Sequence, residues 1–224
     1  MNAAWAVLRK DLQMELRTLE TVPAMMLLAV VTFVIFHFGL EADTLSGPEA
    51  AGVLVVSLLF AAMLGTGRLF VAEREQGGFD AFLLAPVDRT AMFVAKATAM
   101  LVYLLVLELV AIPAFALLLA PPHLGAHLPG VVLFLLLADV AFAVVGTLVS
   151  AIAVQTRARD LIGPIIGLPL LVPALIATAR GIAPLLAPGR ATAAPSAKWL
   201  AVLALYDVVN ALVAYAVFDF LLED

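Results

Sequence analysis

The chain has 224 residues, 65% hydrophobic and 13% charged; a soluble domain is nearer half apolar and a quarter charged, so this composition is that of an integral membrane protein. A formal net charge of −5 leaves no clustered basic face for nucleic acid, and the lack of cysteine removes disulfides, CxxC redox motifs and thiolate metal sites. What the sequence supplies instead is a series of apolar runs of about 20 residues, each enough to cross a hydrocarbon core as a helix, with no room left for a soluble domain.

In chain order, residues 2–20 place Trp5, Leu8, Leu12, Leu16 and Leu19 three or four apart, while Arg9, Lys10, Asp11, Gln13 and Arg17 fall mostly elsewhere round the helix. That amphipathic pattern predicts an interfacial helix lying along the membrane surface, a simple charged leader being the alternative. No small-residue cleavage site follows a short apolar core, so no removed signal peptide is expected.

Candidate spans follow at 22–39, 50–70, 91–120, 128–155, 161–179 and 199–222. The expected fold is thus all-α, a single permease domain over 1–224 with six transmembrane helices. The fifth span carries Pro164, Pro169 and Pro173. Each interior proline removes a backbone hydrogen bond, which predicts a kinked or broken helix packed within the protein, or a re-entrant pair over 161–190. With the N-terminus in the cytoplasm, that side receives Arg9, Lys10, Arg17, Arg68, Arg74, Arg89, Lys96, Arg157 and Arg159, against Arg180, Arg190 and Lys198 outside. The excess places both termini in the cytoplasm.

The polar chemistry concentrates between the second and third spans, over 71–90. There Gly77 and Gly78 interrupt any continuous helix, and Phe79, Phe82 and Leu83 share one face of a short helix that stops near Pro86. Such a helix can lie on lipid headgroups or fit a groove on a partner. The acidic Glu73, Glu75 and Asp80 beside those aromatics disfavour an anionic lipid surface and favour a protein groove.

"RLF" at 68–70, the acid at Glu73, Gly77, the "FDAFLLAP" helix, and "VDR" followed by Lys96 resemble the cytoplasmic loop of the CcmB family, the haem-exporter permeases of cytochrome c maturation. The resemblance extends to "LRKDLQMELR" near the start and "LPLLVPALIA" in the fifth span, and so covers nearly the whole chain. Gly67 departs from it, since Glu often precedes this "RLF" in relatives; an ion pair at that position is lost. The resemblance implies an ABC-2-type permease fold in the bacterial inner membrane. It also implies a separate ATPase subunit of the CcmA type, CcmC-like and CcmD-like membrane partners, and two permease copies per complex. Residues 73–88 would be the coupling helix, with Arg68, Phe70, Glu73, Gly77, Phe79, Asp80, Phe82, Leu83, Pro86, Asp88 and Arg89 as the coupling residues. No cofactor is expected on the chain itself; ATP acts through the partner, and haem is the candidate substrate.

Three acids, Glu108, Asp139 and Asp207, fall inside predicted spans. A charge at the bilayer centre costs at least about 2.5–3.5 kcal/mol, so each either serves a function, or is protonated or bonded to groups such as Thr147, Ser150 or Asn210 purely for packing. His123 and His127 lie four apart in an outer loop and could be read as axial ligands. The prolines around them make a helical turn there uncertain and favour solvent-exposed side chains, and the resemblance places haem ligation in other subunits. His37 reads as an interfacial residue near the outer end of the first span. Ala62 with Gly65, and Gly146 with Ser150, read as close-packing sites between helices. No phosphate loop, HExxH or nucleophile with a base is present, so no enzymatic activity is expected of the chain itself. Rival readings are an exporter permease of the same fold moving a glycan, lipid or drug, a proton-coupled carrier using Glu108 and Asp139, and a membrane scaffold. Against the carrier stands the lack of an internal repeat.

Overall fold

The computed structural model describes residues 3–40, 44–45, 47–70, 89–154, 159–189 and 192–221. Every regular element among them is a helix: α1 (Ala3–Thr18), α2 (Thr21–Gly39), α3 (Gly47–Arg68), α4 (Arg89–Leu119), α5 (Leu124–Val154), α6 (Arg159–Ile182) and α7 (Ala197–Leu221). Six of them, α2 to α7, are long and apolar enough to cross a membrane. Their bounds fall within a few residues of the predicted spans. A helix in lipid must satisfy its backbone groups internally, so it runs the length of its apolar sequence.

The corner between α1 and α2 is built by one side chain. Leu19 takes a left-handed conformation (φ 51°) and closes α1 with its N–H on the Glu15 carbonyl at 2.8 Å. Glu15 Oε1 then accepts from the N–H groups of Thr21 and Val22 at 2.9 and 2.7 Å. Those are two of the unpaired donors that open α2, and an acidic group at a helix N-terminus is favoured by the dipole.

The spans form an up-and-down bundle in which α3 and α5 are central. They bury 67% of their most apolar stretch inside the protein, against 17% for α2 and α7. The remaining apolar surface, including Leu27, Val31, Ile35 and Phe38 on α2 and Leu205, Val208 and Leu212 on α7, faces outward, where a bilayer is its natural solvent. Glycine lets the inner helices approach closely. A Cβ on Gly65 would meet Met25 Sδ at 2.7 Å, and one on Gly146 would meet Thr66 Oγ1 at 2.6 Å. Beside that contact Ser150 donates to the Thr66 carbonyl at 2.8 Å, locking α5 to α3 as the small-residue spacing predicts.

Of the alternatives for the fifth span, the single packed helix is the one found, without a break. The chain stays helical through Pro164, Pro169 and Pro173, with α3, α5 and α7 packed round it. Near the backbone that Pro173 interrupts, the Tyr206 hydroxyl of α7 donates to the Leu170 carbonyl at 2.6 Å. The second arm of a re-entrant pair is absent from the described residues: 183–189 form turns, and buried Leu185 and Leu186 close the end of the bundle. Gly47 N–H bonds the Leu186 carbonyl at 3.0 Å, and Leu45 N–H bonds that of Leu119 at 3.1 Å. The start of α3 and the ends of α4 and α6 therefore meet at one end, opposite α1.

Candidate functional site

At the α1 end, one buried ammonium organises three elements. Lys96, in the second turn of α4, is 2% exposed. Its Nζ lies 3.0 Å from Asp11 Oδ2 of α1, donates to the Leu69 carbonyl just past α3 at 2.9 Å, and sits 5.1 Å above the centre of the Phe70 ring. The last carbonyls of a helix lack intrahelical donors and carry the negative end of its dipole, so a cation there is doubly favoured. Lys10 adds a second cation 3.1 Å from Asp11 Oδ1. Two turns along α4 from Lys96, the Tyr103 hydroxyl donates to the Asp11 backbone carbonyl at 3.4 Å. Arg68, exposed at the end of α3, reaches the Glu20 carbonyl at 3.5 Å.

This arrangement turns α1 in a way that the apolar pattern alone does not reveal. Trp5, Leu16 and Leu19 are 56%, 74% and 60% exposed, as befits a helix bathing one face in lipid. The stripe facing the protein is Val7, Asp11 and Glu15, at four-residue spacing. Asp11, Glu15 and Tyr103 were not among the expected site residues. The signal was that stripe, together with a lysine placed where α4 is otherwise apolar.

Phe70 is 1% exposed beneath Lys96, and Met92 and Phe93 are buried on the α4 side. Glu73, Gly77, Phe79, Asp80, Phe82, Leu83, Pro86 and Asp88 lie outside the described residues; the backbone of Arg89 opens α4. The α3 root of the 71–88 segment thus sits at the Lys96 centre, and the α4 root begins two turns before Lys96 on the same helix.

The intramembrane acids form a separate arrangement. Glu108 on α4 and Asp139 on α5 are 5% and 1% exposed, and their carboxyl groups face each other. Two carboxylates have no donor between them, so a hydrogen bond within this pair would need a proton on one of them. Glu108 Oε1 and Asp139 Oδ2 have no hydrogen-bond partner, and neither oxygen of Asp207 has one. The polar side chains expected to hold these acids do other things: Ser150 bonds Thr66, Asn210 donates to the Tyr206 carbonyl at 2.9 Å, and the Thr147 hydroxyl lacks a hydrogen-bond partner. Asn210 lies three residues from Asp207 and Ser150 three turns from Asp139, so periodicity puts them on the acids' faces, but their donors go to backbone carbonyls.

At the opposite end, α5 begins directly after His123, so the turn holding His127 is helical despite the flanking prolines. His123 is exposed and left-handed (φ 59°), His127 is 8% exposed, and the rings stand 6.5 Å apart, edge to face. The expectation that both would be solvent-exposed holds for His123 only. No group of three or more metal-ligating side chains occurs among the described residues. His37 stacks edge-on against Phe38 near the end of α2.

The family described as CcmB protein matches residues 2–221 of this chain. A curated relative, "Heme exporter protein B" of Rhodobacter capsulatus, is 34% identical over 152 residues, covering 66% of this chain and 67% of its own. A second protein of that name, from Bradyrhizobium diazoefficiens, is 32% identical over 184 residues, 79% of each chain.

Proposed function

The chain belongs to the CcmB protein family, and on that premise we propose that it is the membrane permease of an ATP-driven complex that handles haem in cytochrome c biogenesis. Two relatives named as haem exporters support the substrate. In this reading a separate CcmA-like subunit hydrolyses ATP, two permease copies pair, and CcmC-like and CcmD-like subunits complete the complex. Nucleotide-driven closure of the ATPase presses on residues 73–88 and drives transfer of haem or release of its chaperone. Both termini lie in the cytoplasm of a bacterial inner-membrane protein, an orientation supported by the excess of Lys and Arg at the α1 end.

The observation that carries the reading is the meeting of both roots of 71–88 at one end of the bundle. A push on that segment acts on α3 and α4, which between them contact every other helix. Replacing Phe82 or Leu83 by Asp should detach the ATPase while leaving the permease inserted, because a charge would enter an apolar groove. Undiminished co-purification of the ATPase with both variants would overturn the assignment. Reporter fusions after Gly78 and Arg159 should read as cytoplasmic, and those after Pro48, Gly125 and Gly189 as external; a cytoplasmic signal at Gly125 would defeat the orientation.

A further inference from the structure

We propose that Lys96 and Asp11 are positioning residues for coupling, a buried latch that makes α1 move as one body with the two roots of the 71–88 segment. The proposal rests on reading that segment as the coupling element. Asp11 and Lys96 are far apart in sequence, and their side chains are 4% and 2% exposed where they meet. Separating them would break a 3.0 Å ion pair inside a low-dielectric interior, which resists independent displacement of α1 from α4. The same ammonium bonds the Leu69 carbonyl, so the end of α3 is held in the same unit.

The unit extends beyond α1. Glu15, one turn past Asp11 on the buried stripe, caps the first turn of α2 with two backbone hydrogen bonds. A displacement of the 71–88 roots therefore passes through Lys96, Asp11 and Glu15 to the start of α2. It engages the lipid-facing first span through α1 as well as through side-by-side packing on α3 and α4. Such a path is a physical claim only if breaking one link uncouples the ends.

The test uses the full complex with its ATPase. Lys96→Met removes the ammonium, and the double variant Asp11→Asn/Lys96→Met leaves a neutral pair with no stranded charge, so it folds even if the single variant does not. The chain has no cysteine of its own, so cysteines placed at exposed Gln13 on α1 and Gly67 on α3 are spin-labelled in the purified permease. Assembly with an excess of cysteine-free permease and cysteine-free partner subunits leaves one labelled pair per complex. The unaltered pair should hold one narrow inter-label distance with and without nucleotide. In the double variant that distance should broaden, and haem-chaperone release per ATP should fall roughly tenfold while the ATPase stays bound and active. A merely structural pair would be replaced by the neutral one without loss. An unbroadened distance, or release per ATP within about twofold of the unaltered complex, overturns the latch. Phe82→Asp run alongside separates the two claims: loss of the ATPase there, with normal coupling in the double variant, removes the latch and leaves the coupling segment standing.

Discussion

Asp11 and Asp139 are both almost wholly inside the protein, 3% and 1% exposed, yet they face opposite surroundings. Asp11 looks at the ammonium groups of Lys96 and Lys10, at 3.0 and 3.1 Å. Asp139 looks at another carboxyl, that of Glu108. A buried carboxylate against a buried cation is an anchor, since removing either breaks an ion pair in a low-dielectric interior. Two carboxyls facing each other are not such an anchor, because an amide can take the place of one and donate a hydrogen bond to the other. Depth alone does not tell what an intramembrane acid does; what lies across from it decides.

The same substitution at the two sites should separate them, with the larger loss at Asp11. Asp11→Asn breaks the 3.0 Å ion pair with buried Lys96, and breaking a buried pair costs about 3–5 kcal/mol. The expected result is a large drop in the denaturant midpoint of the purified permease, with trypsin gaining access to Arg9, Lys10 and Arg17 as α1 releases. A midpoint change no greater than that of a surface substitution would show that the ion pair contributes nothing net.

Asp139→Asn should cost about 1 kcal/mol or less, because the amide can donate a hydrogen bond to Glu108 and no charge is stranded. Measured on the same denaturant scale, it should fall well below Asp11→Asn. Equal losses at the two positions would mean that Asp139 has an ionic partner and would erase the contrast.

The sequence made one side of this contrast easier to read than the other. The six spans were legible because apolar runs bounded by Gly, Pro and charge leave a helix in lipid little choice of where to start and stop. Glu108, Asp139 and Asp207 were legible as candidates because a carboxyl in an apolar run is conspicuous, although their partners were not: Ser150 and Asn210 spend their donors on backbone carbonyls. Lys96 was read as one more cation favouring the cytoplasmic side, and Asp11 as part of the polar face of α1. Periodicity identifies the faces of a helix but not which one turns toward the protein. On α1 Leu8 and Leu12 pack against the core while Trp5, Leu16 and Leu19 stay exposed, so the docking face mixes apolar and polar residues, and only the fold reveals that Asp11 meets a lysine far along the chain.

The smallest effect is expected at the opposite end, where His123 and His127 form a third close pair of titratable groups. The rings stand 6.5 Å apart, and only His127 is buried. A pair holding one iron between two axial nitrogens would need both imidazoles turned on the metal from opposite sides. Here the two rings meet edge to face, at the first turn of one helix. If haem ligation lies in other subunits, changing both to Ala should leave haem bound to the purified complex and cytochrome c maturation within about twofold of the unaltered level, the cost being confined to packing around His127. Phe82→Asp should abolish maturation in the same assay, after the haem-chaperone adduct has formed. Loss of bound haem from a double His variant that keeps all its subunits would reverse the comparison, making the outer end a ligand site and the Lys96 end its drive.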